Sequence, residues 1–287
     1  MITVSIDQIL THNNELSSLP ASVSKLNELM QKDTVNISEI SDVVASDPVL
    51  SARILKTVNS PFYGFPAKIE TIAYAVTILG IDSIRYLALT STVISRFSKR
   101  INTIFPLDSF WRHSFSTAII AQQMAKKIHL PQHERLFTCG LLHELGGLLL
   151  AMSKPDIYRK VIIHANQHRL CMAEAEKQLL GFNHLDITSA LLEQWQLPEA
   201  ISETIKHTDR PVHIQPYVQD SAVLSIAESV SSAIFPSMHL QNNDLKLQSQ
   251  TMARAGINPS QLNQILDELD DLVDDAMDGL FMRPAAA

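Results

Sequence analysis

Apolar residues along this chain recur every three or four positions, the period of a helix with one buried face. Leu50, Ile54 and Val58 form one such face with Leu55 beside it. Ile84, Leu87 and Ala88 form a second, and Ile119, Ile120, Met124 and Ile128 a third. Alternation over five or more residues is scarce, and no two runs read as a strand hairpin. Polar and special residues punctuate the pattern. Asp47 before Pro48 reads as an N-cap with proline at the first helical position. Asn36-Ile37-Ser38-Glu39 reads as a capping box with asparagine in place of serine or threonine. Asp82 and Asp108 are further candidate caps, and Gly80 and Gly181 stand where a left-handed C-terminal residue is wanted. The expectation is an all-α chain of roughly a dozen helices joined by short turns.

Two breaks in the pattern suggest a division into 1–105, 106–235 and 236–287. The first break lies at 98–107, where Ser98-Lys99-Arg100 closes one helix and Pro106 with Asp108 opens another; this stretch is also a candidate hinge. The second lies at 236–245, where Pro236 precedes the polar run Gln241-Asn242-Asn243-Asp244. Beyond it, Leu262, Ile265, Leu269, Leu272 and Ala276 share a 3,4,3,4 spacing, with acidic residues from Asp267 to Asp278 on the other face. That is the pattern of one docked amphipathic helix.

Composition sharpens the helical reading. Only 8 of the 287 residues are glycine, too few for a turn-rich sheet fold or a clustered phosphate loop. The 23 basic and 30 acidic residues give a formal charge of −7, which argues against a nucleic-acid partner. The acidity is concentrated: residues 236–287 hold three basic and eight acidic residues. Cys139 and Cys171 cannot build a disulfide scaffold, and no membrane span or leader is evident, so a cytoplasmic location is expected.

Candidate chemistry rests on histidines. His113 lies in a helical pattern, His143 and Glu144 are adjacent in Gly140-Leu141-Leu142-His143-Glu144-Leu145-Gly146, and His184, His207 and Glu228 follow. Imidazoles and carboxylates from separate helices suit a transition metal in a bundle core. Spacing alone does not show this, and a histidine on an apolar helix is more often a hydrogen-bonded core residue. His164 and His168 lie four apart without the glutamate of a zinc-protease motif, and no nucleotide-binding glycine loop or nucleophile elbow is present.

The stretch from Asp47-Pro48 through Asn59-Ser60-Pro61-Phe62-Tyr63-Gly64, continued by Ile69-Glu70-Thr71-Ile72 and Arg85-Tyr86-Leu87, resembles the signature of the HDOD domain, the HD-related output domain. The resemblance covers roughly residues 15–230. It implies a two-lobe, multi-helix fold whose C-terminal lobe resembles the HD phosphohydrolase bundle. In active HD enzymes a first histidine, a His-Asp pair and a later aspartate bind divalent metal; members with a Gly-Tyr-Pro extension add histidines and hydrolyse cyclic di-GMP. HDOD proteins have usually lost this set and are taken as non-catalytic signalling modules.

Carried over residue by residue, His113 matches the first ligand and His143 the histidine of the pair, but Glu144 replaces aspartate and Gly147 stands where active enzymes carry a lysine. His184 fits the next histidine, His207 is followed by Thr208 rather than histidine, and Glu228 falls near the final aspartate. The resemblance therefore implies a degenerate site at His113, His143, Glu144, His184, His207 and Glu228. Any metal, iron or manganese, would fall to His113, His143, Glu144 and Glu228, although no cofactor is the first expectation. Asp47, Pro48, Asn59, Ser60, Tyr63 and Gly64 read as structural; a ligand-sensing role would require Asn59, Ser60 and Tyr63 to line an open pocket. The expected function is a non-enzymatic bacterial regulatory module acting on a protein partner, away from nucleic acid and membrane. The alternatives are a metal-dependent phosphohydrolase of nucleotides or cyclic dinucleotides, and a nucleotide-binding sensor without turnover.

Overall fold

The computed structural model describes residues 2–13, 17–30, 35–97, 107–131, 133–210, 217–236 and 249–281. The expected boundaries at 98–107 and 236–245, the candidate hinge and the Gln241–Asp244 run lie almost wholly outside them. Among the described residues the chain is helical without strands. The helices begin with α1 (Ile6–His12), α2 (Ala21–Met30), α3 (Ile37–Ala45), α4 (Pro48–Val58), α5 (Ile72–Leu79) and α6 (Ile81–Phe97). Then come α7 (Leu107–Lys127), α8 (His133–Leu142), α9 (Leu145–Ser153), α10 (Pro155–His168), α11 (Met172–Leu180) and α12 (His184–Gln194). The last are α13 (Glu199–Lys206), α14 (Val218–Ile234), α15 (Ser249–Ala255), α16 (Pro259–Leu266) and α17 (Leu269–Phe281). These exceed the expected dozen because several long periodic stretches are broken by one- or two-residue turns.

Local chemistry explains the starts and stops. The Asp47 carboxylate accepts from the Val49 and Leu50 amides at 3.1 and 3.0 Å ahead of Pro48, and Asn36 and Glu39 close a reciprocal capping box. Gly80 and Gly181 end α5 and α11 with φ of 86° and 87°. Asp82 and Asp108 prove not to be caps. Each sits inside the first turn of its helix, where a carboxylate faces the positive end of the helix dipole.

Contacts divide the chain into two compact units that do not follow chain order: Met1–Ser18 with Ile101–Asp267, and Leu19–Arg100 with Glu268–Ala287. The smaller unit packs α2 to α6 around Leu26, Ile40, Val44, Ile54, Val58 and Ile84. Within it α17 lies against α4 and α6 and buries Val273, Ala276 and Leu280. The single amphipathic helix expected at the C-terminus is therefore two. The turn at Asp267-Glu268 keeps the apolar face in phase, so the period hides the break, and Asp270 and Asp271 favour a new helix start.

In the larger unit α7, α8 and α14 pack together, with Phe110, Phe115, Ile119, Phe137 and Leu141 in the core. The first residues of the chain are stitched into it: Asn13 Nδ2 donates to the Leu149 carbonyl at 3.2 Å, and Trp195 Nε1 donates to that of Ser17 at 2.7 Å. The stretch His133–Ser153 is apolar and long enough on average to cross a membrane, yet 94% of its most apolar window is buried inside the protein. It is a core element.

Candidate metal centre

Three parts of the larger unit bring polar groups into its interior. α7 supplies His113, the turn after α8 supplies His143 and Glu144, and α14 supplies Glu228. One ligand atom from each of the four lies within 4.8 Å of the other three. His113 Nε2 and His143 Nε2 approach the same Glu228 Oε2 at 2.9 and 2.7 Å, and Glu144 Oε2 is 3.9 Å from His113 Nε2. The side chains of His113, His143 and Glu144 are 0%, 1% and 6% exposed, and that of Glu228 27%.

The far side of each ring is anchored. His113 Nδ1 donates to the Phe235 carbonyl at 2.9 Å, and His143 Nδ1 to the Gly140 carbonyl at 2.6 Å. A carbonyl oxygen only accepts, so both Nδ1 atoms carry hydrogen and both Nε2 atoms face the carboxylates. Ser232 Oγ donates to Glu228 Oε1 at 2.7 Å, which fixes the other oxygen of that carboxylate toward the rings. Burial by itself pushes the His113 imidazole down, but the Glu228 and Glu144 carboxylates overcome it and hold it up at about 9. Burial likewise pushes the Glu228 carboxyl up, and the two imidazoles reverse this and hold it well below its ordinary value.

This donor set fits a divalent transition metal. Imidazoles that donate Nδ1–H to main-chain carbonyls and present Nε2 are the usual form of metal-bound histidine, and two carboxylates supply the charge. The shared Nε2···Oε2 contacts are the ones a cation would replace, in exchange for protons. The extra methylene of Glu144, relative to the aspartate of active HD enzymes, does not take its carboxylate out of the group.

The remaining candidates lie elsewhere. His184 begins α12, with its Nδ1 2.6 Å from Glu176 Oε2, which also accepts from the His184 amide at 2.7 Å. Burial pushes this imidazole down, and Glu176 first, then Glu144 and Glu228, raise it to about 9. His207 follows α13, on the Glu203 carboxylate of the same helix at 3.3 Å, outside the four-residue group. The His143-Glu144 turn is held against α12. Thr188 Oγ1 donates toward the His143 and His184 carbonyls and accepts from the Gly146 amide at 2.9 Å. A Cβ on Gly146 would stand 2.1 Å from the His184 carbonyl oxygen.

Sequence reasoning missed Glu176, Thr188 and Ser232. Glu176 carried a signal: it shares a helical face with Met172 and Leu180, and all three are buried. An acid on an apolar stripe announces a buried partner. The carbonyl anchors had none, because any residue could supply them.

The signature residues of the smaller unit make main-chain contacts. Asn59 caps α4, donating through Nδ2 to the Leu55 and Ile69 carbonyls at 2.7 and 2.8 Å and accepting from the Ile69 amide at 2.8 Å. Ser60 Oγ donates to the Thr57 carbonyl at 2.7 Å, Tyr63 stacks on Phe65, and Gly64 takes a left-handed φ of 62°.

Among the described residues the fold is all-helical, and α7, α14 and the turn after α8 bring His113, His143, Glu144 and Glu228 together. The HDOD domain family model matches residues 16–211, and the chain belongs to that family. The chain is similar to a protein from Shewanella amazonensis SB2B provisionally named a phosphohydrolase. That likeness has 26% identity and a TM-score of 0.71, over 96% of this chain and 97% of the other. It also resembles a protein from Marinobacter aquaeolei VT8 provisionally named for signal transduction, with 21% identity and a TM-score of 0.73, over 98% of this chain and 62% of the other. A curated relative, an uncharacterized protein of Treponema pallidum (strain Nichols), is 24% identical over 194 residues. The match covers 67% of this chain and 37% of the relative's length.

Proposed function

We propose that this chain is a bacterial regulatory module acting through protein contacts, and that its HD-derived centre holds one divalent ion, iron or manganese, as an internal brace without turnover. The observation that carries this reading is the closure of the centre on itself. Both Nε2 atoms meet one Glu228 oxygen; the side chains of His113, His143 and Glu144 are at most 6% exposed, and Glu228, 27% exposed, closes the group on its outer side. Ligands on α7, α14 and the α8–α9 turn are thereby tied through part-buried polar contacts. Active HD enzymes set a lysine beside the metal to take part of the developing charge, and Gly147 stands at that position here. The family membership and the signal-transduction name of one similar structure agree with a regulatory role.

A second reading, a phosphohydrolase of nucleotides or cyclic dinucleotides, is favoured by the convergence of the four residues His113, His143, Glu144 and Glu228 and by the name of the Shewanella protein. Incubation with manganese or ferrous iron and a panel of substrates (bis-p-nitrophenyl phosphate, nucleotides, cyclic di-GMP) decides between them. The brace predicts no product above buffer. Product that disappears in His143→Ala would establish the hydrolase.

A further inference from the structure

The smaller unit contains an open cavity of about 640 Å³, a size that takes a short peptide segment or small organic ligand rather than a bare ion. Its lining joins two distant parts of the sequence: the Asn59-Ser60-Pro61 signature with the strip Lys68–Glu70, and the α17 residues Asp275, Asp278 and Gly279. Gly279 brings α17 close to the signature, since a Cβ there would lie 3.2 Å from Ser60 Cβ. Asn59 and Ser60 spend their side-chain bonds on main-chain groups, so they shape the wall while other residues set its chemistry.

That chemistry is an apolar floor with an acidic side. Leu55 and Ile69 supply the floor. Lys68 and Glu70, both more than two-thirds exposed, stand 4.0 Å apart at the rim and offset one another. Lys56, Asp275 and Asp278 complete the charged part of the lining, and Asp271 and Asp274 lie close enough along α17 to act on the Asp275 carboxyl. Residues 267–281 hold seven acids and no lysine or arginine. Partial burial first, then the neighbouring Asp271, Asp278 and Asp274, hold the Asp275 carboxyl above its ordinary value.

We propose that this cavity is a docking groove for a basic, apolar segment of a partner protein, with a lysine or arginine against Asp275 and Asp278 and an apolar side chain over Leu55 and Ile69. The inference rests on the reading that the module works through protein contacts, and gives that reading a place. A bare cation or polyamine would satisfy the acids and leave the floor uncovered. Burying an apolar side chain there supplies the larger part of the affinity, while the charges set orientation and specificity.

The test uses the full chain and a panel of fluorescein-labelled hexapeptides in three compositions: arginine with leucine, glutamate with leucine, and arginine with serine. Anisotropy is read at low and moderate salt. Arginine–leucine peptides are expected to bind, with affinity at least tenfold weaker for Asp275→Asn/Asp278→Asn. Asp267→Asn/Glu268→Gln, which removes the same charge outside the cavity, is expected to stay within twofold of the unsubstituted chain. Equal loss in both variants, equal binding of arginine–serine peptides, or no binding of arginine–leucine peptides would each overturn the groove. Phosphoester turnover, assayed on the same preparations, bears on the regulatory reading alone and leaves the peptide result standing.

Discussion

His184 and Glu176 form a buried ion pair whose cost and benefit are both large. The carboxylate is inaccessible and receives two hydrogen bonds from one residue, at 2.6 and 2.7 Å. Such a pair contributes little over a well-packed apolar one, but losing one partner strands the other. The pH dependence follows from the raised imidazole value of about 9. Its contribution is complete below the unfolded value near 6.5 and is lost as pH rises through about 9. Urea unfolding at pH 6.5 and 9.5 should therefore show the unsubstituted chain losing on the order of 3 kcal/mol more than Glu176→Gln over that interval. Parallel curves would mean the imidazole is neutral throughout. The same residue marks a limit of reading the chain: histidine alone suggested a ligand, and only the acid eight positions earlier decides its actual partner.

At the scale of elements, the His143-Glu144 turn owes its position to α12 as much as to its own helix. Gly146 gives α9 its close approach to the start of α12, and Thr188 ties the two main chains together. Gly146→Ala forces a Cβ onto the His184 carbonyl oxygen and the Ile187 side chain, and overpacking of this kind costs roughly 1–3 kcal/mol. The expected result is a lowered unfolding midpoint with weakened metal binding in the folded protein; an unchanged midpoint would show that the backbone yields freely. Helix type and most caps were legible in the sequence because period, proline and Asx residues act locally. Asp82 and Asp108 misled, since an aspartate in the first turn looks like one at the cap. The tail break at Asp267 was illegible because two turn residues preserve the phase of the apolar face.

Across the whole molecule, chain order and spatial grouping part company. Residues up to Ser18 belong with the unit that follows Ile101, and α17 belongs with the unit that begins at Leu19. Linear punctuation cannot show this, because it locates segment ends without saying which surface a terminal segment covers. The four clustered residues were legible only through resemblance to HD enzymes; no helical spacing relates His113, His143 and Glu228. Leu280, buried on α17, is a direct probe of the smaller unit's core. Leu280→Ala removes a side chain that is 2% exposed and should destabilise that unit by about 2–5 kcal/mol. Metal content should be unchanged, because none of the four ligands lies in it; parallel loss of metal would argue for a centre built differently.

The most direct measurement is the metal content of the full chain, purified without chelator and equilibrated anaerobically with ferrous iron or manganese. The four-residue centre predicts about one ion per chain. In His143→Ala and Glu228→Gln it predicts a fall of at least tenfold, while circular dichroism shows the helices intact. Absence of bound metal at millimolar ion, or equal metal in both variants and the unsubstituted chain, would contradict it.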